Sequence, residues 1–194
     1  MLAGQILPSA SSGSVVGLIK EGTGTYRITG TGNNINAGIR ILDGAVLINS
    51  TTSVSNVLVF GNGTLGGVGT VNGNTEAYGS INPGDELIGR LKIKTLQVHP
   101  KSRLVFDVTD VDNYDQLAIT SSLKYANDCE DFSQSKEPAA IKVKLSTMHD
   151  VKVGDEFTIL TAKTKADFQN TDWQFRVILP VQHTWTVEER SDSN

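Results

Sequence analysis

Residues 20–49, KEGTGTYRITGTGNNINAGIRILDGAVLIN, are the stretch on which the fold turns. Three short β-prone runs, Tyr26-Arg27-Ile28, Ile39-Arg40-Ile41 and Val46-Leu47-Ile48, are cut apart by Gly22, Gly24, Gly30, Gly32, Gly38 and Gly44. Alternating side chains suit strands with one buried face, and the glycines supply positive-φ corners that residues with a Cβ resist. A unit this thin cannot bury its own apolar edge, so it needs another unit stacked on it.

The same texture continues on both sides. Residues 1–14, MLAGQILPSASSGS, are small and polar and read as a lead-in. From Val15 to Asp85 short apolar runs alternate with Gly, Asn, Thr and Ser, and no window carries the i, i+3, i+4 spacing of an amphipathic helix. Two architectures meet this pattern: an antiparallel sandwich with glycine-rich hairpins, or parallel rungs that coil and stack. Asn62-Gly63 and Asn72-Gly73 would each mark a hairpin. Runs of about three residues between glycines are too short for hairpin arms, however, and suit the facets of a β-coil.

Beyond Arg90 the strands lengthen, over 91–98, 103–108, 116–120, 140–146, 156–162 and 175–180. Ile141-Lys142-Val143-Lys144-Leu145 alternates and puts Lys142 and Lys144 on a wet face. Residues 127–138, NDCEDFSQSKEP, are acidic and rich in breakers, as a surface loop insertion is. A short helix is expected over 163–169 and one more strand over 184–187. The expected organisation is a lead-in over 1–14, rungs over 15–126, the loop over 127–138, and final rungs with a more regular β cap over 139–194.

Composition narrows the partners. At 38% hydrophobic and 20% charged, the 194-residue chain can bury a substantial core, which argues against wholesale disorder. Net charge is −4, with Lys and Arg scattered along the sequence, so nucleic acid and anionic membrane are poor partners. No run reaches the roughly 20 apolar residues of a membrane helix. One cysteine, Cys129, allows neither an internal disulfide nor a Cys-rich metal cluster. Met1-Leu2-Ala3-Gly4 lacks the regions of a signal peptide, and a β-pattern under way by Val15 favours a piece excised from a longer chain.

Lys20-x-Gly22-x-Gly24, Ile28-x-Gly30, Asn34, Gly38-x-Arg40-Ile41, Gly44-x-x-Leu47 and Asn49, in that order, resemble the passenger-associated repeat of bacterial autotransporters. The resemblance runs on through LGGVGTVNG (65–73), INPGD (81–85), Tyr114-Asp115-Gln116-Leu117 and GDEFTIL (154–160), covering most of residues 18–162. It implies an all-β fold, a right-handed parallel β-helix (solenoid), in a secreted or cell-surface bacterial protein. Similar modules are appended to secreted polysaccharide-degrading enzymes. No stretch after residue 160 reads as the strands of a membrane barrel, in which this chain departs from a complete autotransporter.

The search for chemistry yields two candidate sites. Asp110, Asp112 and Asp115 bring hard oxygen ligands together at short spacing, as calcium requires, but without the glycine and closing glutamate of an EF-hand. The alternative is a charged turn in which Asp115 caps the next rung. Trp173, Trp185 and Tyr114 could stack on sugar rings, or the tryptophans could close the open end of the core. His99, His149 and His183 have no partner at ligand spacing and suit surface or turn positions. No G-x-S-x-G elbow occurs, and Cys129 among acids is a poor nucleophile. Two functions follow. One is a non-catalytic structural spacer whose partners are neighbouring domains of a larger chain, with no cofactor beyond that calcium. The other is a carbohydrate-binding accessory module of a glycoside hydrolase, with polysaccharide as partner. A row of exposed aromatics along stacked strands would favour the second.

Overall fold

The computed structural model describes residues 6–7, 14–86, 88–126, 139–145, 150–166, 176–178 and 186. Their regular structure is all β. The strands are β1 (Gly17–Lys20), β2 (Thr25–Ile28), β3 (Asn33–Ile35), β4 (Gly38–Ile48), β5 (Thr51–Gly67), β6 (Thr70–Ala77), β7 (Ser80–Pro83), β8 (Arg90–Val98), β9 (Arg103–Val108), β10 (Gln116–Tyr125), β11 (Ala140–Leu145), β12 (Leu160–Ala166) and β13 (Arg176–Ile178). They join in one curled sheet of 13 strands, and every strand pairing among the described residues is parallel.

Three ladders carry the register. The first aligns Leu18, Ile39, Val57, Thr75, Leu96 and Leu123. The second aligns Tyr26, Val46, Leu65, Ile81, Leu104 and Ile141. The third aligns Asn33, Thr52, Val71, Ile93, Ile119 and Ala162. The chain visits the ladders in that order and returns to the first after roughly 20 residues, the spacing of a repeat architecture, until the later connections lengthen. These positions face inward, and their apolar members belong to one continuous core. Each buried Val, Leu or Ile contributes about 1.5–3 kcal/mol relative to exposure. Thr52 and Thr75 interrupt the apolar columns, and their buried hydroxyls lack hydrogen-bond partners among the described residues.

The glycines act differently from the expectation that they separate short runs. Gly22, Gly32, Gly38 and Gly44 do have positive φ, but Gly24 and Gly30 do not. Strand β4 runs through Gly44, and β5 through Gly61, Gly63 and Gly66. The bends come instead with register shifts, between Ile41 and Asp43 and between Ser53 and Asn56, where the chain bulges and turns while pairing continues. Several glycines are needed for closeness: a Cβ on Gly63 would lie 2.4 Å from the Ile41 carbonyl oxygen of the next strand.

Downstream, the strand expected over 103–108 is β9, and Lys142 and Lys144 are exposed on β11. Strand β10 continues past residue 120 to Tyr125, and β12 starts at Leu160, later than expected. The short helix expected over 163–169 is corrected through Ala166. Thr164 pairs with Ser122 of β10, and so short a helix could not offset its nucleation cost against a ladder already formed. The insertion over 127–138, the strand expected over 184–187 apart from residue 186, residues 167–169 and most of the C-terminal cap lie outside the described residues.

The starting edge is held by polar groups. The Lys20 ammonium donates to the carbonyls of Glu21 at 2.8 Å, Gly22 at 2.5 Å and Asp43 at 3.3 Å. The Ile6 amide donates to Asn33 Oδ1 at 2.9 Å, and the Asn34 amide to the Ile6 carbonyl at 2.7 Å.

Candidate functional site

The acidic turn between β9 and β10 separates into two environments. Asp110 organises the turn: its Oδ1 accepts from the Asp112 amide and the Asn113 amide, both at 2.9 Å, and from Asn113 Nδ2 at 2.8 Å. This is an Asp side chain substituting for backbone partners in a turn. The Asn113 side chain first, then the backbone donors, hold the Asp110 carboxyl below its usual range. Asp115 points elsewhere and is 1% exposed. Its Oδ1 accepts from the Gly89 amide at 2.8 Å and its Oδ2 from the Asp107 amide at 2.9 Å, so it clamps the entry of β8 to β9. Asp110, Asp112 and Asp115 therefore do not converge on one point. Among the described residues no group of three His, Cys, Asp or Glu side chains could hold a metal ion.

Burial pushes the Asp115 carboxyl up to about 6, against the two backbone donors, with the Asp107 charge adding to the rise and Lys144 opposing it. The unfolded chain releases this proton near pH 3.9. The native state thus keeps a proton that the unfolded state has lost, so the contribution is greatest below about pH 4 and declines as pH rises to about 6. The expected decline is on the order of 1–2 kcal/mol. Urea titrations across that window should show the slope in the parent chain and a flatter one in Asp115→Asn. An unchanged slope in the variant would assign it to other groups.

Beside the turn is an open cleft of about 320 Å³ lined by Asp110, Val111, Asp112, Asn113, Asp150, Lys152 and Asp155. Its charges engage one another: Lys152 Nζ is 3.4 Å from Asp150, and the Lys152 amide donates to Asp155 Oδ2 at 2.6 Å. Among the described residues the lining carries no hydroxyl, thiol or imidazole that could serve as a nucleophile or neutral base.

Tyr114 is half-buried with its ring edge-on to Phe157, centroids 5.3 Å apart at 87°, in packing contact with the core. Trp173 and Trp185 lie outside the described residues. A row of rings that sequence reasoning missed stands at the corner after the first ladder. Phe60, Tyr78 and His99 each follow an aligned strand residue, Val59, Ala77 and Val98. Tyr78 stacks on His99 with centroids 3.9 Å apart, and on Phe60 at 6.4 Å. Their faces are turned onto each other rather than offered to a sugar. His99 is 4% exposed, which corrects the surface position expected for it, although it does sit at a turn. His149 and His183 lie outside the described residues. The available signal was an aromatic one residue past each alternating run.

A second missed feature is the strap that leaves the second ladder at Gly84. Gly84 pairs antiparallel with Gly67, and the chain returns at Gly89, where a Cβ would lie 2.8 Å from the Gly84 Cα. Arg27 Nε donates to both Asp85 oxygens at 2.9 and 3.1 Å, and Nη2 donates to Glu86. Asn49 Nδ2 donates to Asp85, while Asn49 Oδ1 accepts from the Val68 amide at 3.2 Å. The bond to Asp85 is the main cause that raises the Arg27 pKa. The network joins residues from four successive passes of the chain, so its chemistry is that of a tie.

Among the described residues no helix is long and apolar enough to cross a membrane. No protein-family model matches the sequence, and no curated protein is significantly similar to it.

Proposed function

We propose that the chain is a right-handed parallel β-helix serving as a non-catalytic spacer in a larger secreted or cell-surface bacterial protein. The observation that carries this reading is the register of the three ladders, which the chain visits in a fixed order at nearly constant intervals. Parallel strands joined within one sheet cross over right-handedly in nearly all proteins, which supports the hand. The order of glycine-rich motifs over residues 18–162 supports the secreted class. Side-chain clusters that join the passes also favour a spacer: the Asp115 clamp, the Asp85 strap and the ring stack run between passes and hold them together.

A solenoid spacer has a length that scales with its passes, each contacting only its neighbours. Inserting three further copies of residues 57–74 after Asn74 repeats one complete pass in register. The expected product folds cooperatively and is longer by about 14 Å, three strand spacings, with an unchanged cross-section by small-angle scattering. An insertion that aggregates, or that swells the cross-section, would contradict the reading.

A further inference from the structure

We propose that the outer face of the third ladder binds a linear polyanionic glycan, one bearing carboxylate or sulfate groups. On β8 the outward positions are Arg90, Lys92 and Lys94, all exposed, with Leu91 and Ile93 between them facing the core. Alternate residues of a strand lie roughly 6.7 Å apart, so Arg90 and Lys92 stand side by side and Lys94 follows at the corner where the register shifts. Lys163, also exposed, follows Thr161 on the outer side of β12.

The neighbours of this row give it its character. Lys92 aligns with Thr70 and Thr51 on one side and with Ala118 and Thr161 on the other. Arg90 aligns with Gln116, and the adjoining outward row reads Asn34, Ser53, Asn72. None of these aligned positions is a carboxylate, and among the described residues Arg90, Lys92 and Lys94 form no ion pair. The other ladders differ. The first has Glu76 in its outward row, between Leu58 and Gln97, and the second pairs Lys144 with Asp107 at 3.9 Å. In a chain of net charge −4, the third ladder therefore presents a local excess of positive charge on a face of hydroxyls and amides.

That combination fits an extended sugar polymer. The cations repel one another until anions are shared between them, and the hydroxyl and amide groups match sugar hydroxyls. Strands aligned side by side suit a chain that lies across them. A nucleic acid is a poorer fit, because the aligned outward positions hold no aromatic ring for bases to stack on. The inference rests on the sheet register and stands apart from the spacer reading.

The test is affinity electrophoresis of the full chain through gels containing polygalacturonate, dextran sulfate, neutral dextran or single-stranded oligonucleotide. Retardation by polygalacturonate or dextran sulfate, relieved by salt, is expected, and the stronger of the two identifies the anionic group. The triple variant Arg90→Gln/Lys92→Gln/Lys94→Gln should lose about tenfold or more in affinity, as expected when several charge contacts are removed. The control Arg103→Gln/Lys142→Gln, on the second ladder, should bind as the parent does. Melting curves establish that each variant is folded, and Lys92→Glu alone supplies the comparison should the triple variant unfold. Absence of retardation by both polyanions overturns the proposal. So does equal binding by the triple variant, equal retardation in neutral dextran, or tighter binding to the oligonucleotide than to either glycan.

Discussion

Phe106→Ala is expected to lower stability by about 3–5 kcal/mol, a large part of what a domain of this kind possesses. Phe106 is fully buried on β9, the bulkiest side chain with essentially no exposure among the described residues, and its backbone partner on β11 is Val143. On the other side its strand meets β7 only through Ser80 and Ile81, where the strap leaves the ladder. The ring belongs to the continuous core, so its removal leaves a cavity that strands held in register on the ladders fill only in part. Phe106→Leu should cost less than half as much. Urea unfolding of the two variants checks this, and an alanine loss within the range of a surface substitution would mean that the core is not packed around this ring.

Gly67→Ala is expected to be comparably damaging, at roughly 3 kcal/mol or more, for a reason of backbone geometry. Gly67 has φ of +109°, and a Cβ there would sit 2.3 Å from the Ile48 carbonyl oxygen and 2.6 Å from its amide nitrogen. The same residue exchanges two hydrogen bonds with Gly84, at 2.8 and 3.0 Å. A methyl group therefore pushes β5 off β4 and releases the strap together. Gly22→Ala separates the two contributions: its φ is +69°, but nothing lies within 4 Å of the added Cβ. That variant should lose only about 1–2 kcal/mol, the cost of the left-handed backbone alone. Equal losses at both sites would show that close stacking is not what Gly67 provides.

How far the sequence could be read depended on whether the relevant physics was local. Alternation in Leu91–Ile93 and in Ile141–Leu145 is a property of a single strand, and it marked both strands and, for the second, the wet face that carries Lys142 and Lys144. The preference for parallel coiling over hairpins was also reached from the sequence, although its premise of short runs between glycines failed, since β4 and β5 continue through theirs. The register was not. It depends on which residue of one pass meets which residue of the next, as when Val57 meets Ile39 and Thr75, and small bulges near Asp43 and Asn56 reset it. Both Asp115 and Arg27 illustrate the same limit. The acidic turn looked like one cluster in sequence, yet Asp115 turns inward to two amides while Asp110 turns outward. Arg27 and Asp85 meet only because the intervening passes stack. The cation row was half legible: RLKIK shows alternation, but the lack of carboxylates beside it appears only once the neighbouring strands are aligned.

The central claim is that successive passes stack in register, one strand spacing apart, and it can be measured as a distance. Nitroxide labels at Thr51→Cys and Thr161→Cys, in a Cys129→Ser background, stand on strands of the third ladder separated by β6, β8 and β10. Four strand spacings correspond to about 19 Å between backbones. Double electron–electron resonance should give a single narrow distribution near that value, broadened only by the label arms. A distribution centred beyond about 35 Å, or one spread over the range of an unpaired chain, would contradict the stacked arrangement.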